Sequence, residues 1–138
     1  RFKVFYSSDN DPTSLPDSYI EKIVEDGEGR LWIRTGENGY IIYNWDTENF
    51  VRDVRSWMWN IGIDGTPRHV FVDSQKNMWF AVDGKGCYRY RPEEKKADVL
   101  SFGEKGIPEG IIIDMIECKD GVILVYDNGH VSVSTVKR

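Results

Sequence analysis

Residues 19–45 read YIEKIVEDGEGRLWIRTGENGYIIYNW, and residues 66–91 read TPRHVFVDSQKNMWFAVDGKGCYRYR. A shift of 47 positions brings the two stretches into register and aligns Trp32 with Trp79. Repeat periods of about 40–50 residues are typical of β-propellers, in which each repeat forms one blade. The repeat therefore predicts that each stretch is one blade-forming unit.

A third, weaker copy occupies residues 114–134 and reads DMIECKDGVILVYDNGHVSVS. Its Gly129 matches Gly86 of the second copy, and Ile123 is expected roughly where the tryptophan stands in the other copies. The shift falls to 43 or 44 positions, which indicates a shortened turn near Asp120.

Turn-forming residues divide each copy into short segments. In the first copy the turns are Asp26–Gly29 and Glu37–Gly39. Glycine adopts positive φ there without strain, and Asn and Asp tolerate it. Between the turns the side chains alternate with the two-residue period of a strand, with Leu31 and Ile33 facing opposite to Trp32.

A fourth segment lies between copies, at Phe50–Val54 and again at Asp98–Phe102, and Arg1–Tyr6 looks like the same element left from a preceding copy. Residues 19–25 also have helical spacing, but their repeat partner reads as a strand, so we predict a strand there as well. The expected fold is all-β, a partial β-propeller of about three four-stranded antiparallel blades in one fragment spanning 1–138. Its parts are an outer strand of a preceding blade (1–6), blade one (19–55), blade two (66–102) and an incomplete blade three (111–136).

Trp32 and Trp79 are expected to wedge between neighbouring blades, because a single sheet cannot bury both of its faces. Closed propellers usually have four to eight blades, so about three cannot close a ring. The first strand lacks its blade and the last blade lacks a strand. We therefore predict that in isolation two chains pair head-to-tail as a homodimer, with residues 1–6 of one completing the last blade of the other, whereas in a parent protein other blades would take this role.

Composition excludes several classes of function. The 138 residues contain 18 basic and 23 acidic side chains, for a formal net charge of -5, which argues against a nucleic-acid partner. No apolar run approaches the roughly 20 residues of a membrane helix, so contact with a membrane is expected only through a parent protein. The two cysteines, Cys87 and Cys118, are too few for a disulfide framework, and the sequence leaves open whether they pair.

The first copy resembles the two-component regulator propeller repeat. The resemblance rests on DGEGRLWIRT at residues 26–35, on the lead-in DPTSLPD at residues 11–17, and on Gly39 and Tyr43. It is weaker in the second copy and weakest in the third, which lacks the tryptophan.

The resemblance implies a periplasmic ligand-sensing region of a hybrid two-component histidine kinase, of the kind typical of gut Bacteroidetes. In that family many sensors respond to glycans or to their breakdown products, so an oligosaccharide ligand is implied. This copy departs from the family at Arg34, where Gly is usual, and at Tyr40, where Leu is usual.

Signals of catalysis are poor. The two histidines, His69 and His130, have no metal-ligand spacing between them. The sequence also contains no glycine-rich phosphate loop and no nucleophile elbow. We therefore predict no catalytic residue, no cofactor and no metal site.

The predicted binding site centres on the run WMWN at residues 57–60, expected in a loop between the outer strand of one blade and the inner strand of the next. In an extended segment Trp57 and Trp59 would face the same way and could stack on a sugar ring or pack against a partner. Arg55 and Arg68 could bind a carboxylate or a sulfate. The alternative is that both rings cap the barrel between blades. The candidate ligand-binding residues are Trp57, Trp59, Asn60, Arg55, Arg68 and His69.

Three functional hypotheses follow. The first is a non-catalytic extracytoplasmic sensor fragment of a hybrid two-component system, which recognises a glycan-derived ligand or a partner. The second is a fragment of a propeller-type lyase or hydrolase, which would need a histidine, an acidic pair and a metal. The third is a pure protein-interaction or dimerisation scaffold.

Overall fold

The computed structural model describes residues 4–8, 10–16, 19–36 and 39–135. Within them, eleven strands and one short helix follow one another along the chain. They are β1 (Ile20–Glu25), β2 (Leu31–Thr35), β3 (Gly39–Asn44), β4 (Asn49–Val51), α1 (Val54–Asn60), β5 (His69–Val72), β6 (Met78–Val82), β7 (Gly86–Arg91), β8 (Lys96–Ser101), β9 (Ile112–Cys118), β10 (Gly121–Tyr126) and β11 (Val131–Thr135).

The strands form three antiparallel sheets, each laid out in chain order. The orders are β1-β2-β3-β4 in blade one, β5-β6-β7-β8 in blade two and β11-β10-β9 in blade three. Strand β5 contacts both β1 and β9, so the first strand of each blade is the innermost one. The prediction of an all-β partial β-propeller is confirmed, with two four-stranded blades and one of three strands.

The N-terminal segment differs from the outer strand predicted for residues 1–6. Arg1–Lys3 lie outside the described residues, and Val4–Tyr6 form no strand. Phe5 instead packs edge-on against Tyr43 of β3, with ring centroids 5.3 Å apart. This contact lies on the face of blade one that points away from blade two. Pairing with another chain through residues 1–6 stays a prediction.

Helix α1 replaces the loop expected between blades one and two, and the expectation of an extended segment there is wrong. Asp53 caps the helix, since its carboxylate accepts the Ser56 backbone N–H at 3.1 Å and the Ser56 hydroxyl at 2.7 Å. Val54 and Met58, one helical turn apart, are both buried. The helix therefore forms because an N-cap and two apolar residues on one face occur together. At seven residues it is too short for the helical periodicity to be recognised in the sequence.

The two repeated tryptophans lie in the cores between blades, as predicted. Trp32 is buried between blades one and two, and Trp79 between blades two and three. Their exposed fractions are 0% and 2%. Burial of one such side chain stabilises the fold by roughly 2–3 kcal/mol.

Each tryptophan also closes the turn that precedes it. The Trp32 indole N–H donates to Asp26 at 3.0 Å, and the Trp79 indole N–H donates to Asp73 at 3.0 Å. The second oxygen of each carboxylate accepts two backbone N–H groups of the turn, from Glu28 and Arg30 or from Gln75 and Asn77. One carboxylate thus holds both a turn and a core side chain, which explains the constant spacing between Asp and Trp.

Blade three lacks this pair and fills the position differently. Tyr126 and His130 close the β10–β11 hairpin as Val82 and Gly86 close the β6–β7 hairpin. In this register Ile123 pairs with Ile116 where Trp79 pairs with Phe71 in blade two. The turn before β10 has two residues, against five before β6. The expectation that Ile123 takes the tryptophan position is therefore confirmed. Ile123 is half-buried on the face of blade three that points away from blade two, whereas Val122 packs into the core shared with blade two.

Tyr40, one of the departures from the family pattern, links blades one and two. Its ring is buried, and its hydroxyl accepts the backbone N–H of Val70 on β5 at 3.2 Å. Burial raises the pKa of this hydroxyl, so it stays protonated and neutral.

Replacing Tyr40 by phenylalanine is expected to lower the free energy of unfolding by about 1–2 kcal/mol, because the buried Val70 N–H loses its acceptor while the ring stays packed. Urea denaturation measures the difference. Tyr6→Phe is the matched control, since Tyr6 is 78% exposed. Equal effects of the two changes would show that the hydroxyl does not link the blades.

Candidate functional site

A cleft opens between blades one and two, at the end of the sheets where β2 turns into β3 and β6 turns into β7. Its volume is about 500 Å³. Charged side chains from both blades line it, namely Arg34, Arg55, Arg68, Lys85, Asp64 and Asp83.

The cleft forms where four separate stretches of chain end at the same edge. Arg34 lies near the end of β2, and Arg55 lies in the first turn of α1. Arg68 directly precedes β5, and Lys85 lies in the turn between β6 and β7. The packing of blade one against blade two brings these stretches together, so the cleft depends on the core around Trp32.

One ion pair in the cleft is tightly built. The Arg68 Nε lies 2.7 and 2.8 Å from the two Asp83 carboxylate oxygens, and an Nη lies 2.6 Å from one of them. These hydrogen bonds raise the pKa of Arg68. The pair therefore holds a guanidinium in one orientation on the wall of blade two.

A second set of ion pairs is loose. Asp64 lies 3.5 Å from an Nη of Arg55 and 3.3 Å from the Nζ of Lys85. All three side chains are roughly half exposed or more. Exposed ion pairs of this kind contribute only about 0–1 kcal/mol, so Asp64 holds two cations weakly.

The remaining cation, Arg34, pairs with Glu21 at 3.1 Å across blade one. Of the residues that the structure describes, four cationic side chains therefore line the cleft, against two carboxylates. The chain as a whole has a formal net charge of -5, so the cleft is a locally positive region on a negatively charged protein.

The structure brings together Arg55 and Arg68 of the predicted site, but it separates the two tryptophans. Residues two apart in a helix point in directions about 200° apart. Trp57 is half-buried and packs edge-on against Trp32 with centroids 4.8 Å apart, and Arg30 lies over its ring at 5.0 Å. Trp57 thus takes the alternative role, that of a packing group between blades.

Trp59 and Asn60 lie on the exposed side of α1, outside the cleft. Trp59 is 67% exposed. A ring exposed to this extent is unusual for tryptophan, and it remains available for contact with a ligand or a partner.

His69 is buried on β5 and does not line the cleft. Its Nε2 lies 3.3 Å from a carboxylate oxygen of Asp114 on β9. Burial, helped by the positive charge of Lys22, lowers the pKa of His69 to about 4. The imidazole is therefore neutral at pH 7 and belongs to the packing of blade two against blade three.

Sequence reasoning missed the four other charged lining residues, Arg34, Asp64, Asp83 and Lys85. The repeat carries a signal for two of them, because the turn at residues 83–85 aligns with the turn that follows Thr35. Turns that align in a repeat lie at the same edge of neighbouring blades. No comparable signal in the sequence marks Asp64.

A second cleft, of about 700 Å³, lies at the opposite edge beside the Asp–Trp turns. Its lining includes three cations and three carboxylates, so it carries no excess charge. The cleft between Arg34 and Lys85 is therefore the better candidate for a ligand with a charge of its own.

The cysteines and the metal-binding side chains form no further site in the part of the chain that the structure describes. Cys87 and Cys118 are both free, and burial raises the pKa of the Cys87 thiol to about 12. No group of three or more His, Cys, Asp or Glu side chains comes close enough there to hold a metal ion. None of the described helices is long and apolar enough to cross a bilayer.

Comparisons with known proteins give one family match and several similar folds. Residues 14–37 match the family model described as two component regulator propeller. The fold is similar to the extracellular domain of a protein described as a hybrid two component system from B. thetaiotaomicron, with a TM-score of 0.54 and 19% sequence identity over 87% of this chain.

A second B. thetaiotaomicron domain, described in the same terms, has a TM-score of 0.53 and 12% identity over 96% of this chain. Identities this low establish similarity of fold alone. This chain spans 17% and 19% of the two larger chains. No curated protein matches it.

Proposed function

We propose that this chain is part of the extracytoplasmic sensor region of a hybrid two component system. The premise is that residues 14–37 are a two component regulator propeller repeat, as the sequence predicted. The similarity of fold to two extracellular domains of such systems supports the proposal. The proposal includes a location in the periplasm, with attachment to the membrane through a parent protein.

The role proposed for the chain is recognition of a glycan-derived ligand or a partner, without catalysis. The observation that carries this part is the charged cleft between blades one and two, because it joins side chains of two blades at one edge of the propeller. A ligand bound there would contact both blades at once. Trp59, exposed beside the cleft on α1, is proposed as a further contact, stacking on a sugar ring or packing on a partner.

Replacing Arg68 by glutamine in the intact sensor region is expected to weaken binding of its ligand by at least about tenfold, because a charge-assisted hydrogen bond to the ligand is lost. A glycan array identifies the ligand, and calorimetry measures the affinity. Arg55→Ala and Trp59→Ala are compared in the same way.

Lys105→Ala is the control, because Lys105 is exposed in the loop between β8 and β9, away from the cleft. All variants should keep the melting temperature of the wild type. A ligand that binds equally well to the wild type and to all three variants would contradict the proposed site.

A further inference from the structure

The cleft between blades one and two has more positive charge than its own carboxylates neutralise. Among the described residues, Arg34, Arg55, Arg68 and Lys85 line it and Asp64 and Asp83 oppose them there, while Glu21 pairs with Arg34 from outside the lining. Two of the cations come from blade one and its following helix, and two from blade two. Each blade thus contributes half of the cationic side chains that line the cleft.

The two carboxylates differ in how firmly they are held. Asp83 makes contacts of 2.6, 2.7 and 2.8 Å with the Arg68 guanidinium. Asp64 makes one contact of 3.5 Å and one of 3.3 Å, each to a different exposed cation. Asp64 is therefore the carboxylate that an incoming anion can replace, while Asp83 keeps Arg68 in place.

The geometry points to an anionic ligand: we propose that the cleft binds a carboxylate or sulfate group of the ligand, and that this group displaces Asp64 from Arg55 and Lys85. Guanidinium groups offer paired N–H donors that match both kinds of oxyanion. The inference deepens the proposed function and rests on it for the role of the cleft as the recognition site.

A cationic ligand does not fit this arrangement. It would meet four positive side chains, and the only loosely held carboxylate, Asp64, is already shared by two of them. A neutral ligand would form no ion pair with the cationic side chains of the cleft. Within the cleft, charge complementarity therefore favours the anion.

Titration of the full chain with inorganic sulfate, at constant ionic strength maintained with chloride, tests the inference. Nitrogen-15 NMR follows the side-chain Nε–H signals of Arg55 and Arg68. We expect saturable shifts of these signals in the millimolar range of sulfate. Lys85→Gln should weaken the binding by about fivefold, because one cation is lost.

The decisive variant is Asp64→Asn, which is expected to tighten sulfate binding by about fivefold because it removes the competing carboxylate. A residue with only a structural role would not strengthen binding when replaced. Asp98→Asn is the matched control, since Asp98 also pairs with two arginines, Arg89 and Arg91, outside the cleft. It should leave the shifts of Arg55 and Arg68 unchanged.

Two results would overturn the inference: an absence of saturable shifts, or an Asp64→Asn variant that binds sulfate no more tightly than the wild type or the Asp98→Asn control. Its failure is distinct from failure of the proposed function. A neutral glycan whose binding is lost in Arg68→Gln would support the recognition site and contradict the anionic ligand. If sulfate binds as expected but no glycan is found whose binding requires Arg68, the anion site stands and only the proposal of a glycan-derived ligand is contradicted.

Discussion

Replacing Trp32 by alanine is expected to lower the free energy of unfolding by about 3–5 kcal/mol. Trp32 is fully buried, and its ring lies 4.8 Å from that of Trp57 and 5.4 Å from that of Phe80. The change opens a cavity between blades one and two and removes a donor to the buried Asp26 carboxylate. Because whole domains are stable by only about 5–15 kcal/mol, this one change removes a large share of the stability.

Urea denaturation followed by circular dichroism measures the loss, and Trp59→Ala is its matched control. Trp59 is 67% exposed, so its removal should cost less than about 1 kcal/mol. Trp32→Phe, which keeps an aromatic ring but loses the indole N–H, should fall between the two. If Trp32→Ala cost no more than Trp59→Ala, the tryptophan would not be the wedge that joins the blades.

Acidification from pH 7 to pH 4 is expected to destabilise the chain by about 3 kcal/mol through His69 alone. Burial lowers its pKa from 6.5 in the unfolded chain to about 4 in the folded one. Below pH 6.5 the unfolded chain therefore binds a proton that the folded chain does not. The stabilising contribution is complete above pH 6.5 and is lost as the pH falls towards 4.

The free energy of unfolding of the wild type and of His69→Gln, measured at several pH values, tests this expectation. The difference between them should change by about 3 kcal/mol over the window, whatever the cost of the substitution at pH 7. His130→Gln, an exposed histidine in the turn before β11, should keep the pH profile of the wild type. Parallel profiles for the wild type and His69→Gln would show that His69 can be protonated without opening the contact between β5 and β9.

The fold was predictable to the extent that it repeats. Two copies with Asp, Trp and Gly at equal spacing indicate two sheets of the same design, and the structure has both. Helix α1 was not predictable from this pattern, because it occupies a stretch that has no counterpart between blades two and three. Its evidence was the Asp53 cap and two apolar residues, Val54 and Met58, which a strand or a loop could also contain.

The candidate site was predictable only in part. Arg55 and Arg68 were identified as anion-binding groups from their residue type, and the structure places both in one cleft. Trp57 has the same residue type as Trp59 and lies two positions away, yet one packs between blades and the other faces outward. The difference arises because the two residues lie in a helix, and the sequence of residues 57–60 does not by itself indicate a helix.

The sequence by itself determined the repeat, the antiparallel blades and the tryptophan wedges, because these depend on local turn chemistry and on burial that recurs in each copy. Only the tertiary structure decided which charges share a cleft. Arg34, Asp64 and Lys85 are far apart along the chain, and they meet because the hydrophobic cores press neighbouring blades together. Charge complementarity acts over a few ångströms in space, and the distance between two residues in space is a property of the packed blades.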